Sequence, residues 1–144
     1  MTFEGVIIRD FVPLDTASAI TLWDAFGLPR PWNDPQKDID RKLAVDADLF
    51  LVGLDKGTVI GTAMGGYDGH RGWVNYLAVS PERRREGIGR ALMEAVEKRI
   101  ISKGCPKINI QVRETNKDVL TFYNSLGYKV DKVVSLGKRL IADD

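Results

Sequence analysis

The residues of this chain best suited to chemistry lie between Val79 and Arg90, in the run Val-Ser-Pro-Glu-Arg-Arg-Arg-Glu-Gly-Ile-Gly-Arg. Gly87 and Gly89 carry no side chains, so a ligand can come up against the backbone there. If Ile88 opens a helix, its first amides have no intrahelical acceptor and point outward at the positive end of the macrodipole. Arg84, Arg85 and Arg90 add charge beside them. Together these features suit a phosphate or pyrophosphate. Two glycines one residue apart also fit a plain turn beside a solvated run of arginines. Two other phosphate motifs are excluded. No Gly-x-x-x-x-Gly-Lys-Ser/Thr sequence occurs, and Leu92 stands where a dinucleotide-binding turn needs its third glycine.

Few other side chains compete for a chemical role. Cys105 is the single cysteine, and it sits in Gly104-Cys105-Pro106, which reads as a helix stop rather than a nucleophile. His70 is the single histidine and titrates in a useful range, yet it falls in a turn. Asp68 and Glu114 are carboxylates near the segment of interest, and no cluster with metal-ligand spacing is visible, so no metal is expected.

The elements that must position the glycine segment follow from periodicity. Phe3 to Arg9 reads as a strand. Asp15 can cap a helix whose apolar stripe is Ala19, Leu22, Trp23 and Phe26. Pro29, Pro31 and Pro35 break the chain, and Asp34-Pro35 reads as an N-cap with proline at the first position of a second helix, running to about Asp46. Leu49–Leu54 and Thr58–Gly66 form a hairpin about Asp55-Lys56-Gly57. A turn over Tyr67 to Gly72 leads to a strand from Trp73 to Val79. Ile88, Ala91, Leu92, Ala95, Val96 and Ile100 keep helical spacing, ended by Gly104 and Pro106. Ile108–Val112 is a strand, Val119 to Leu126 a short helix, and Tyr128 to Ile141 two more strands or a hairpin. The expected class is a mixed α/β (α+β) fold. Its sheet is mostly antiparallel with six to seven strands, has a parallel splayed pair at its centre, and carries helices on both faces.

With 144 residues, 44% hydrophobic and 28% charged, the chain suits one domain over 1–144. A net charge of +1 supplies no broad basic field for nucleic acid or an anionic membrane. No run approaches the roughly 20 apolar residues of a membrane span. Met1 to Gly5 lacks a basic, then apolar, leader. One cysteine allows no internal disulfide, which suits a cytoplasmic location.

Arg84-x-x-Gly87-x-Gly89, after a strand ending Leu77-Ala78-Val79-Ser80-Pro81, resembles the acetyl-CoA motif of the GCN5-related N-acetyltransferases, the GNAT superfamily. Asn116 and Phe122-Tyr123-Asn124-Ser125-Leu126-Gly127-Tyr128 resemble its second motif, and the element order agrees over nearly the whole chain. The motif region is most similar to bacterial enzymes that acetylate the N-terminal alanine of a ribosomal protein. Gln111 stands where those enzymes carry a carboxylate.

The resemblance implies an acyltransferase that moves an acetyl group from acetyl-CoA to a primary amine by direct attack. Backbone groups of Leu77, Ala78 and Val79 would pair with the pantetheine amides. Arg84 and the amides of Arg85, Glu86, Gly87, Ile88, Gly89 and Arg90 would receive the pyrophosphate, and Asn116 would contact the pantetheine arm. Tyr123 falls at the family's general acid, or is a core tyrosine. A base is harder to name. The positions that carry carboxylates in relatives are Trp73 and Gln111 here, leaving Glu114, Asp68, His70 or water. The acceptor, a small molecule or a protein amine, would meet Trp32, Asp68 and Gln111, together with Arg30, Asn33, Tyr67 and Arg71. Trp32 reads equally as a lid, a pocket wall or a core plug. Homodimers are common in the family. The alternative is a non-catalytic acyl-CoA-binding or sensor module on the same fold.

Overall fold

A computed structural model describes residues 2–3, 5–28 and 32–143. The expected first strand is two: β1 (Thr2–Phe3) and β2 (Val6–Asp10) pair antiparallel about Gly5, whose φ of 85° makes the turn. Two helices follow, α1 (Thr16–Ala25) and α2 (Pro35–Leu43). The sheet continues with β3 (Phe50–Asp55), β4 (Thr58–Tyr67) and β5 (Gly72–Val79). Then come α3 (Ile88–Ser102), β6 (Ile108–Asn109) and α4 (Lys117–Ser125). The six strands lie in chain order, every neighbour antiparallel except the parallel pair β5 and β6.

Alternation along the strands splits the core in two. Leu51, Ile60 and Ala63 face α3 and α4, packing with Leu92, Val96, Ile100 and Tyr123. Phe50, Val52 and Met64 face α1 and α2, packing with Trp23 and Ile39. The helices thus cover both faces, as expected. On the α3 side the fit depends on two glycines of β4. A Cβ at Gly61 would lie 2.8 Å from Leu92, and one at Gly65 only 2.5 Å from Val96. These glycines form a trough for the Ile88, Leu92, Val96, Ile100 row, which recurs every four residues on one helix face. The trough seats α3 closely on the sheet.

Local chemistry explains the helix starts. Asp34 caps α2, accepting from the amides of Gln36 at 2.9 Å and Lys37 at 3.3 Å, with Pro35 at the first position. Asp15 does not cap α1 through its side chain. Its carboxylate accepts instead from Arg9, at 2.8 and 3.0 Å, and from the Val12 amide at 2.9 Å, because a short 3-10 turn (Pro13–Asp15) precedes the helix.

Two expectations fail at the end of the sheet. β6 pairs with β5 only at Gly72/Ile108 and Trp73/Asn109, so the parallel pair lies at the sheet's edge and residues 110–112 are not strand. The tail from residue 128 to 143 forms no strand either. Side-chain bonds hold it in place of a ladder: Asp131 to Lys107 at 2.8 Å, Ser135 to Gln111, and Arg139 to Asn33 at 2.6 Å. Its apolar residues Val130, Val133, Val134 and Leu136 do not alternate with a period of two, and all four are exposed.

Candidate active site

Beyond Trp73 and Asn109 the chain leaves β5, opening a splay alongside Asn75–Val79. Ser80 donates its amide to Ile60 of β4 at 2.7 Å. Alternation then turns Ala78 toward β4, where it pairs with Thr62, and turns the peptide groups of Leu77 and Val79 to the open edge. Of the three residues expected along the pantetheine arm, Leu77 and Val79 face the splay, and the backbone of Ala78 is taken by β4.

A β-bulge interrupts β5 at this level. Thr62 pairs with Ala78 and Met64 with Asn75, so Ala63 stands opposite both Tyr76 and Leu77. Tyr76 has φ of 51°, a left-handed conformation that costs a non-glycine residue about 1–3 kcal/mol. Three contacts hold it there. Its ring stacks on Trp23 at 4.0 Å, its hydroxyl donates to Asp38 at 2.7 Å, and its carbonyl accepts from the Thr62 hydroxyl at 2.7 Å. Burial and the Asp38 carboxylate raise the Tyr76 phenol, so it stays a donor.

At the end of β5 the glycine segment forms a concave run of backbone. Arg85 and Gly87 are left-handed, with φ of 64° and 82°. Gly87 is the N-cap of α3 and has no side chain to offer. The first intrahelical bond runs from the Ala91 amide to Gly87, which leaves the amides of Ile88, Gly89 and Arg90 without intrahelical acceptors. α2 and α4 have side-chain caps from Asp34 and Asn116; α3 does not. A Cβ at Gly89 would meet Phe122 of α4 at 3.2 Å and Val79 at 3.7 Å, so the cradle is closely walled. The residues present fit a pyrophosphate: a concavity of free amides at a helix start, with arginines at its rim.

The arginines are not equivalent. Arg83 pairs with Asp55 at 2.7 Å and Glu86 at 3.0 Å, so its charge is spent within the fold. Arg84 lies over the Phe26 ring at 5.8 Å. Arg90 reaches the Ser125 carbonyl at 3.4 Å. Glu86 is engaged by Arg83 and the Ile88 side chain is 1% exposed, so both would serve a ligand through backbone alone.

A cleft of about 1140 Å³ lies between β6, α4 and the tail, lined by Trp73, Gln111, Tyr123, Asn124 and Ser135 among others. It brings together Tyr123, Gln111 and Trp73, which sequence order keeps far apart. Burial pushes the Tyr123 phenol up to about 12. Asn116 caps α4 through its side-chain oxygen, accepting from Val119 at 3.3 Å, which leaves its NH2 group for a ligand. Asp68 lies apart from the cleft, closing the turn before β5. It accepts from the amides of His70 and Arg71 at 2.8 and 2.7 Å and from the Trp73 indole at 3.1 Å. These bonds, Arg71's first, hold its carboxyl down at about 2, which weakens it as a base. His70 and Glu114 are exposed and do not line the cleft.

Trp32 is 56% exposed, which removes the reading of a core plug. Arg30 lies outside the described residues. The start of α2 is tied to the tail: the Asp143 carboxylate accepts from the Asp34 amide at 2.8 Å, Arg41 at 2.6 Å and Arg139 at 2.7 Å. Sequence reasoning missed Thr62, Tyr76 and Asp143, and the part Phe122 plays as a wall beside Gly89. Only a buried threonine between small apolar residues hints at the first. Among the described residues no group of His, Cys, Asp and Glu could hold a metal, and no helix is long and apolar enough to cross a membrane.

A mixed sheet splayed beside a glycine-lined helix start defines the class of acetyl-CoA-dependent acyltransferases. The chain belongs to the acetyltransferase (GNAT) family, whose profile matches residues 18–128. Acetyl-CoA is therefore its acyl donor. Solved structures agree on the fold. Ard1 from Thermoplasma volcanium is 24% identical, with a TM-score of 0.80 over 88% of this chain and 84% of that one. AAC(6')-Iy, in complex with the bisubstrate analogue CoA-S-monomethyl-acetylneamine, is 19% identical, with a TM-score of 0.77 over 94% and 99%. Naa20 of Chaetomium thermophilum, in complex with a bisubstrate analogue, is 27% identical, with a TM-score of 0.72 over 86% and 71%.

Proposed function

We propose that the protein N-acetylates a primary amine by direct attack, with Tyr123 at the family's general-acid position donating to the leaving sulfur. The observation that carries this is a buried phenol, held protonated up to about 12, in the cleft that runs along residues 108–112, where the chain parts from β5. Acetyl-CoA supplies the activated thioester. Leu77 and Val79 bind the pantetheine arm from the open edge of β5, Asn116 steadies it through its NH2 group, and the amides of Ile88, Gly89 and Arg90 hold the pyrophosphate, with Arg84 and Arg85 at the rim. The Leu77 N–H donates to the thioester oxygen as charge grows there.

Magnitudes define what Tyr123 can do. A cysteine-like thiol titrates near about 8.5, so full transfer from a phenol at about 12 is uphill by roughly 5 kcal/mol. Tyr123 therefore lends a hydrogen bond to the departing sulfur, and the proton shed by the amine completes the exchange. With Asp68 held near 2 and Trp73 and Gln111 unable to accept a proton, water removes the ammonium proton, or the amine arrives neutral.

The ligand of AAC(6')-Iy, a coenzyme A conjugate of an acetylated neamine, and the bisubstrate analogue on Naa20 support testing both small-molecule and protein amines. The test is coenzyme A release with aminoglycosides, polyamines and peptides with free N-termini. Tyr123→Phe should lower kcat at least about 100-fold while coenzyme A affinity holds. Unchanged turnover would refute that role for Tyr123. Coenzyme A binding with no transfer to any amine would instead favour the acyl-CoA sensor.

A further inference from the structure

We infer that Thr62, itself held by Trp23, is the positioning residue that aims the Leu77 N–H into the splay. This deepens the proposed function and rests on it. Thr62 is 0% exposed, and it and Asp15 are the only buried polar residues among those described. Its hydroxyl accepts from the Trp23 indole at 2.9 Å and commits its single proton to the Tyr76 carbonyl at 2.7 Å. A hydroxyl in an apolar layer with both its bonds committed has a strict direction.

That direction passes through one peptide plane. The Tyr76 carbonyl and the Leu77 amide belong to the same peptide, and in a planar trans peptide C=O and N–H point opposite ways. The structure contains no cis peptide among the described residues. Pinning the Tyr76 oxygen toward Thr62 of β4 therefore turns the Leu77 N–H away from β4. The ladder gives that peptide no hydrogen bond of its own, because Tyr76 and Leu77 have no register partner on β4. The left-handed Tyr76 is also a conformation a tyrosine leaves readily unless its surroundings forbid it.

Tyr76 is fixed on its other side by Trp23 at 4.0 Å and Asp38 at 2.7 Å, so the plane is held from ring and carbonyl together. Trp23 serves twice, as stacking partner and as donor to Thr62. α1 and α2 thereby act on the reaction without touching acetyl-CoA: they hold the bulge from the face opposite α3.

The test needs no acceptor. Amide resonances of the full chain are followed during titration with acetyl-CoA and, separately, with coenzyme A. In the wild type, the Leu77 amide proton should move further with acetyl-CoA than with coenzyme A, while the Gly89 and Arg90 amides move equally with both. Thr62→Val keeps the shape and removes the hydroxyl; it should lose the acetyl-specific shift at Leu77 and keep the cradle shifts. Thr62→Ser keeps the hydroxyl and should restore the shift, which a purely structural role for residue 62 does not require. A folded Thr62→Val with the full acetyl-specific shift overturns the inference. So does a wild-type Leu77 amide that responds identically to the two ligands, a result that stands even if Thr62→Val does not fold. If the cradle amides stay still as well, the site reading itself falls, a failure distinguishable from the first two.

Discussion

Replacing Gly65 with alanine should destabilise the protein far more than the same change at Gly53, although both glycines lie in buried strands. A Cβ at Gly65 would sit 2.5 Å from Val96 and 3.0 Å from the Leu49 carbonyl, with Ile100 at 3.4 Å. One of these obstacles is backbone and the others belong to a fully buried helix face, so α3 must lift from the sheet. Overpacking of this kind costs about 1–3 kcal/mol. Removing a strand glycine returns about 0.4–1 kcal/mol through the unfolded chain. The net is a loss of about 1–2 kcal/mol, or roughly 3–8 °C in Tm for a chain of this size. At Gly53 the nearest atoms are Val6 at 3.5 Å and Leu92 at 3.9 Å, ordinary contacts, so the entropy gain stands alone and stability should hold or rise. Calorimetric melting of the two variants beside the wild type decides it. Equal Tm values for Gly65→Ala and Gly53→Ala would refute the trough beneath α3.

Other outcomes follow from the charged clusters. Asp68 titrates lower folded than unfolded, so its stabilisation is present above the ordinary aspartate value of 3.8 and disappears as pH falls through about 2. Asp68→Ala should flatten the acid limb of Tm against pH in that window, and an unchanged limb would count against the turn's bonds. Asp143→Asn should free the tail from the start of α2, since Arg41, Arg139 and the Asp34 amide lose a carboxylate acceptor. Trypsin should then cut after Lys138 or Arg139 several-fold faster, while the sheet melts nearly as before; unchanged cleavage would show that the strap is idle.

What could be read from the sequence divides along a physical line. Period-3.6 and period-2 patterns revealed α1, α3, the β3–β4 hairpin and β5, and Asp34-Pro35 marked the start of α2, because each depends on neighbours in sequence. The cradle was legible for the same reason: Gly87 and Gly89 are adjacent to the helix they leave uncapped. Asp15 was misread because its carboxylate had a better partner in Arg9 on the preceding strand. The tail was misread because apolar content suggested strands, while Asp131, Ser135 and Arg139 hold it by side chains. The bulge was invisible: a tyrosine at positive φ has no local signature, and its support comes from Trp23, Asp38 and Thr62, at distances of up to 53 residues in sequence (76 minus 23).

The measurement that bears most directly on the site is calorimetric titration of the wild type and Gly89→Trp with acetyl-CoA and coenzyme A. A Cβ at position 89 already lies 3.2 Å from Phe122 and 3.7 Å from Val79, so an indole there crowds the helix start that forms the cradle. Both ligands should bind the wild type saturably, and neither should bind a folded Gly89→Trp. A folded Gly89→Trp that binds as tightly as the wild type would contradict the placement of the pyrophosphate, and a folded wild type that binds neither ligand would contradict the site altogether.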